Sequence, residues 1–480
     1  MTNKKKKLGL PTVFATGVGM IVATSCLLSL GQGASAIGVT FIFSMLIALG
    51  INICTALSIS ELNSLMPNLT GGLAQYTQAS WGPFITIFTM VGGYIVCNIV
   101  VACAESAMFG ITLSGVIDAP IPSWAYTIFA IIVLGFVNYM GVNVFAKIQD
   151  IVAYALIASL IIMGILGCIK ANPETVVNQP AVLNSDFSSV ISLCGMAFFL
   201  FIGCEFVIPI AKHVKNPSRN IPLGMVLSLV IVCGVQCIMI FGFSNYVPWS
   251  DLAESATPHV LYGSLLLGPV GKIWMTIVSC LAVTSTINSQ ISAVSYIILG
   301  MSKINLLPKV LGKTNKHGAP YWGIVIVALP LIVVNVAGVA SSDSLSMLIL
   351  VGCVFWMLSY LFTNLNVIIM RVREPNAKRS FKLPLGPVIP LIGALGTAWM
   401  IWNIDSDPDA RTKIYIICLI IGAILAIYAA IWVKCVMKEK LFAPTPISKI
   451  LENDSELYES YKESATRLGD KETKQKPKNF

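Results

Sequence analysis

Residues 190–211 read VISLCGMAFFLFIGCEFVIPIA and carry a single carboxylate, Glu205, two positions after Gly203. Directly beyond, the sequence turns basic, with Lys212, His213, Lys215 and Arg219 ahead of Pro222. About 20 apolar residues cross the hydrocarbon core of a bilayer as a helix. An acid near the middle of such a helix costs about 2.5–3.5 kcal/mol on insertion scales. It is retained where the helix is interrupted and turns toward a polar cavity instead of lipid. The stretch therefore predicts a broken membrane helix beside a binding site.

The rest of the chain reads the same way. Its 480 residues are 56% hydrophobic and 11% charged, with a mean hydropathy of +0.82. A water-soluble surface needs more polar residues than that, so the solvent is a bilayer. Twelve apolar windows are predicted as spans, at about 10–32, 36–59, 84–114, 122–140, 148–169, 188–211, 222–245, 266–300, 320–340, 344–370, 387–403 and 412–434. The eighth is long enough to hide a split, although the loop before it is expected to absorb part of the window.

Charge placement orients these spans. With twelve, 27 of the 31 Lys and Arg residues fall on one side, and only Lys170, Lys272, Arg411 and Lys413 fall on the other. Both termini are therefore expected to be cytoplasmic, and the protein to reside in the cytoplasmic membrane. The net charge of +9 follows from this asymmetry. Nucleic acid is not expected as a partner, because no soluble basic face exists to carry it. The 13 cysteines are mostly single residues inside apolar windows (Cys54, Cys97, Cys103, Cys168, Cys194, Cys233, Cys280, Cys418), and His213, His259 and His317 lie far apart. They read as small buried apolar side chains, with neither a metal nor a cofactor expected. The basic N-terminus followed by an apolar run reads as an uncleaved first helix.

Three parts are expected: a cytoplasmic N-terminus (1–9), a membrane domain (10–435) and a polar cytoplasmic tail (436–480). The tail has a sparse apolar set, Ile447, Ile450, Leu451, Leu457 and Tyr461, suited to one weak amphipathic helix in an otherwise mobile segment. In the membrane domain the first span also interrupts its apolar run, at Thr16-Gly17-Val18-Gly19 and on through Ala23-Thr24-Ser25. Interruptions at matching places in two five-helix halves point to an inverted repeat with the site between them. The alternative is that these small residues serve close helix packing.

The sequence resembles the amino acid–polyamine–organocation (APC) superfamily of transporters over nearly all of residues 8–435. The likeness is strongest at Phe198 to Glu205 followed by Val214 to Pro222. It is supported by Pro67 to Gly72 with Gln75-Tyr76 and Trp81 to Phe84, by Asn305 to Pro308, and by Arg371 to Pro375 with Arg379 and Phe381 to Pro384. The resemblance implies an all-α, LeuT-like fold of twelve helices, built as a five-plus-five inverted repeat with helices 1 and 6 broken, and alternating access. It also marks two departures. Where the family reads Gly-Ser/Ala-Gly for capture of a substrate carboxylate, this chain has Val22-Ala23-Thr24 after Gly19-Met20-Ile21. Either Gly17 and Gly19 shift the break by a turn, or the substrate has no α-carboxylate. Where some members carry a fifth-span lysine, the alignment gives Leu156. Thr284 and Ser285 lie near the place where sodium-coupled relatives put hydroxyl ligands.

The substrate-site candidates are accordingly Gly17, Gly19, Ile21, Val22, Ala23 and Thr24 in the first span, and Asn98, Val101 and Glu105 in the third. Phe199, Ile202 and Gly203 come from the sixth, Gln290 from the eighth and Trp356 from the tenth. Asn98, Val101 and Glu105 share one helical face, although Glu105, ~30 Å from the start of its helix, would equally reach the outer interface. Glu205 is the candidate for coupling or gating, and Phe199 for a lid over the substrate. Glu61 is expected to be a structural partner for the basic loops, and the loop from Lys212 to Arg219 a determinant of topology. The expected function is a secondary active transporter of amino acids or related amines, by proton symport or exchange. An amine or polyamine permease is the alternative within transport, and a non-transporting sensor the alternative outside it. No catalytic constellation marks an enzyme, and the oligomeric state is left open.

Overall fold

The computed structural model describes residues 7–452, except 68, 118, 184, 185, 340–342 and 406. Lys4 to Lys6, Asn68, and residues 453–480 with Leu457 and Tyr461 lie outside the described residues. Eight of the described helices are long and apolar enough to cross a membrane, and the pair Leu10–Ile21 and Thr24–Ile37, bent by 59°, makes a ninth. Three shorter apolar helices, Ser123–Tyr139, Tyr321–Val336 and Val388–Trp402, fill the fourth, ninth and eleventh windows. Among the described residues only isolated β-bridges occur, one pairing Leu8 with Val214. There the Leu8 N–H donates to His213 O (2.8 Å) and Lys215 N–H to Leu8 O (2.8 Å), tying the start of the first span to the exit of the sixth.

Burial sorts the spans into layers. The apolar window of the sixth span is 89% buried, whereas that of the last helix, Pro408–Met437, is 17% buried. On that last helix Leu419, Ile424 and Ile427 point outward, as do Phe129 and Phe136 of the fourth span. In water such a surface would aggregate; in a bilayer it is the solvated face. The first span sits inside, against the fifth, sixth, seventh and eighth.

Of the interruption expected from Thr16 through Ser25, only the Val22-Ala23 part is a break, and the shift onto Gly17 and Gly19 does not occur. Thr16 to Gly19 belong to the continuous helix Leu10–Ile21. The chain leaves helical geometry at Val22 (φ −86°, ψ 78°) and Ala23 (φ −91°, ψ 164°), and re-enters at Thr24. Gly17 and Gly19 are packing glycines. A Cβ on Gly17 would stand 2.7 Å from Ser228 Oγ, and one on Gly19 1.9 Å from Gln149 Nε2 and 2.1 Å from Ser285 Oγ. Close approach of helices through small residues accounts for both.

In the sixth span the helix Cys194–Phe199 gives way at Leu200 to Gly203, and a 3₁₀-helix, Cys204–His213, continues it. Gly203 has φ +117°, a conformation that a side chain disfavours. The eighth window is part of a helix, Pro258–Lys303, interrupted at Leu267 and Gly268 (φ 61°) just before Pro269. The preceding segment is thus a helix of its own instead of a loop.

Buried amides join the fourth, fifth and eighth spans. Asn138 Nδ2 donates to Asn288 Oδ1 (2.9 Å), Asn288 Nδ2 to Gln149 Oε1 (2.9 Å), and Gln149 Nε2 to Ser285 Oγ (2.7 Å). At the end marked by positive charge, Glu61 accepts from Arg371 Nε (2.8 Å), Arg371 Nη2 (2.6 Å) and the Leu383 N–H (2.8 Å), in the role expected of it. Seven cysteines are buried, whereas Cys168 is exposed near the end of the fifth span, unlike its expected burial. The described part of the tail is docked. Phe84 N–H donates to Leu441 O and Thr445 N–H to Gln78 O, both at 3.1 Å, and Ile450 and Leu451 of the helix Ile447–Glu452 are buried.

Candidate functional site

Glu205 lies in the first turn of the 3₁₀ half of the sixth span and is fully buried. Its Oε1 accepts from Trp356 Nε1 (2.8 Å) and its Oε2 from the Tyr360 hydroxyl (2.5 Å). That hydroxyl also accepts the Gly203 N–H (3.1 Å), so one tenth-span side chain serves both the acid and the amide that the turn leaves orphaned. Phe206, Trp356 and Tyr94 surround this junction, with the Phe206 and Trp356 rings 5.6 Å apart. The sixth and tenth spans are clasped together at the break.

The first break is held differently. Its second half-helix starts at Thr24 with no side-chain cap of its own, and its first N–H groups have no intrahelical partner. Glu105 of the third span supplies one: Oε2 accepts the Thr24 N–H (3.2 Å) and Oε1 the Ser25 N–H (2.7 Å). Glu105 is 1% exposed. It neither reaches the outer interface nor lines the cavity; it caps a helix end whose partial positive charge suits a carboxylate.

Between the breaks lies a cavity of about 20 Å³ lined by Met20, Ile21, Ala23, Ser25, Cys26, Val101, Phe199, Ile202, Thr286, Gln290 and Trp356. A volume near 15 Å³ admits one water, so the cavity is closed around little more than that. It gathers seven of the sequence candidates: Ile21, Ala23, Val101, Phe199, Ile202, Gln290 and Trp356. Val22, Thr24, Gly203 and Glu205 shape its walls from behind, through backbone geometry and hydrogen bonds. Asn98 is one contact removed, its Oδ1 accepting from Gln290 Nε2 (3.5 Å). Gly17 and Gly19 are outside it, buried in helix contacts. Met20, Ser25, Cys26 and Thr286 were missed. Thr286 stands one turn before Gln290 on the same face, a spacing that sequence could have used.

The sequence that folds around this closed cavity matches the model of the family described as "Amino acid permease" over residues 8–432. The chain belongs to that family. It is therefore a multi-pass membrane protein with the APC fold, from a family of permeases and not of enzymes. The permease is 24% identical to the branched-chain amino acid permease BcaP of Bacillus subtilis (strain 168) over 448 residues, 88% of this chain and 92% of that one. It is 22% identical to the methylthioribose transporter of the same organism (87% and 90% covered). With the putrescine transporter PotE of Escherichia coli (strain K12) the identity is 23%, with 75% of each chain covered.

Within the permease, the hydroxyls weighed for sodium are differently placed. Ser285 Oγ is engaged by Gln149 Nε2, which also reaches Ala15 O (3.4 Å). Thr284 lines lateral recesses with Phe109, away from the first break. Leu156 is fully buried. At the basic end, Lys212, His213, Tyr296, Lys303 and Lys316 line a chamber of about 620 Å³.

Proposed function

We propose that this permease carries amino acids or related small amines across the cytoplasmic membrane by alternating access, exchanging one substrate for another. Twelve crossings leave both termini cytoplasmic, residues 10–435 form the transport unit, and the segments 1–9 and 436–480 flank it. The observation that carries this reading is the meeting of two interrupted helices on one closed cavity. A broken helix can pivot at the break without unpacking either half. Opening the Glu205 clasp would free the sixth span from the tenth and admit substrate from one side, with Phe199 as its cover. Ile21, Ala23, Val101, Ile202, Gln290 and Trp356 would contact the substrate.

Exchange is supported by Gln149, whose neutral amide already satisfies Ser285 Oγ and Ala15 O, oxygens that a coupling cation would need. Proton symport is the second reading, favoured by two fully buried acids beside the cavity, since intramembrane carboxylates commonly serve proton transfer. Proteoliposomes separate the two. Under exchange, uptake of labelled amino acid or amine rises when unlabelled substrate is loaded inside and persists when the pH gradient is collapsed. Uptake that needs an acid exterior and no internal substrate would replace exchange with symport. Absence of flux across the whole panel would remove both.

A further inference from the structure

A half-helix that begins inside a membrane protein is an anion seat, because its first N–H groups point outward unpaired and its end carries partial positive charge. The 14-residue half-helix Thr24–Ile37 begins at the wall of the cavity. We propose that Glu105 fills this seat from within the chain and is the specificity-determining residue of the permease, turning the cavity toward amines that lack a neighbouring carboxylate. The proposal rests on the reading of this cavity as the substrate site.

Two independent observations carry it. First, both Glu105 oxygens are engaged, one by each of the first two N–H groups of the half-helix, at 3.2 and 2.7 Å. A substrate carboxylate would have to displace a buried, bidentate carboxylate tethered to the third span. Among the described residues, no Lys, Arg or His lines the cavity to hold it elsewhere, and the indole N–H of Trp356 is already donated to Glu205. Secondly, the cavity offers an unpaired acceptor. Gln290 is fully buried and lines the cavity; its Nε2 is directed to Asn98, and its Oε1 has no hydrogen-bond partner. A buried acceptor left alone is costly, and an ammonium or amine N–H is the group that satisfies it. Met20, Ile21, Val101 and Ile202 supply apolar walls for a hydrocarbon body. The first break therefore presents one carboxylate behind its wall and, within the cavity, one amide oxygen beside the Ser25 hydroxyl, which can accept from an amine as well as donate.

Matched pairs test this on the full-length purified protein. Binding is followed by thermal shift with isopentylamine against leucine, butane-1,4-diamine against ornithine, and isovalerate as a carboxylate alone. In the wild type, each amine is expected to bind at roughly tenfold or lower concentration than its amino acid, as one unmade buried polar contact implies, and isovalerate gives no shift. Glu105→Ala empties the seat, so isovalerate now shifts the melting point and the amine preference collapses by roughly tenfold. Where the alanine variant fails to fold, Glu105→Gln, which keeps the size and exchanges one acceptor for a donor, moves the preference the same way. Leucine binding the wild type as tightly as isopentylamine overturns the proposal, as does binding by neither member of any pair. Amine-selective binding without flux in proteoliposomes would remove the transport reading and leave this assignment standing; flux of leucine with no preference for the amine would do the reverse.

Discussion

The two helix breaks border the same cavity and are secured in opposite senses. At the sixth span the acid is local, and the donors arrive from the tenth span as Trp356 and Tyr360. At the first span the donors are local, as the N–H groups of Thr24 and Ser25, and the acid arrives from the third span. Inside a bilayer a broken helix is stable only when its freed backbone groups find partners in a neighbouring span. The contrast suggests a division of labour, with a clasp built from side chains that can part and a cap that fastens main chain in place.

Substitutions on either side test that division. The largest loss of stability is expected from Glu205→Ala, which strands the Trp356 and Tyr360 donors at about 1–3 kcal/mol each. Thermal unfolding of the purified protein measures it, and Glu205→Gln should lose less because one oxygen still accepts. Unchanged melting of the alanine variant would show that the clasp holds nothing. Gly203→Ala comes next. Its φ of +117° costs a side chain about 1–3 kcal/mol, and the new Cβ would stand 2.6 Å from Met20 Cγ. Adding Met20→Ala should relieve the contact and leave the strain, so a full rescue would argue against the backbone term.

Gly19→Ala tests the other span. Its Cβ would meet Gln149 Nε2 and Ser285 Oγ, an overpacking worth about 1–3 kcal/mol. Because the obstacle is the end of a flexible side chain, the double variant with Gln149→Ala should be destabilised by less than the sum of the two. Strict additivity would place the strain elsewhere. Thr24→Ala is the small member of the series. The backbone N–H that Glu105 uses is retained, and only a long hydroxyl bond to Ser279 O (3.5 Å) is removed, about 0.5 kcal/mol or less on the usual scale. A larger loss would mean that the Thr24 side chain, and not its amide, holds the cap.

The same contrast explains what could be read from the residues alone. The apolar segments were legible because lipid forces every backbone polar group to be satisfied within helices, and this writes long apolar runs into the chain. The sixth break was legible because its cause is local: Gly203 permits the turn, and Glu205 marks a buried polar group two residues on. The first break was legible only as a range, Thr16 through Ser25; it falls at Val22 and Ala23, the place the resemblance marked, and is not shifted onto Gly17 and Gly19. Val22 and Ala23 are not breakers in themselves, and the acid that holds the break open lies 80 residues beyond Ser25, at Glu105. Glu105 and Asn98 were singled out by helical face, yet that periodicity could not tell a cavity-facing group from one turned against a neighbouring backbone. Glu61 was easier, since a lone acid among basic loops has an evident partner, although the bidentate geometry with Arg371 was not foreseeable.

The docked start of the tail has a practical consequence for anyone handling this protein. Gly82, at φ +88°, lies so close to Ala443 that a Cβ there would stand 2.5 Å from its carbonyl oxygen, and Leu441 and Thr445 bond on either side of it. The polypeptide after the last helix is thus a strut beneath the entrance of the third span, the same helix that carries Glu105. Fusing an affinity handle or fluorescent reporter directly after residue 435 would remove that strut, whereas an attachment beyond residue 452 would leave it in place.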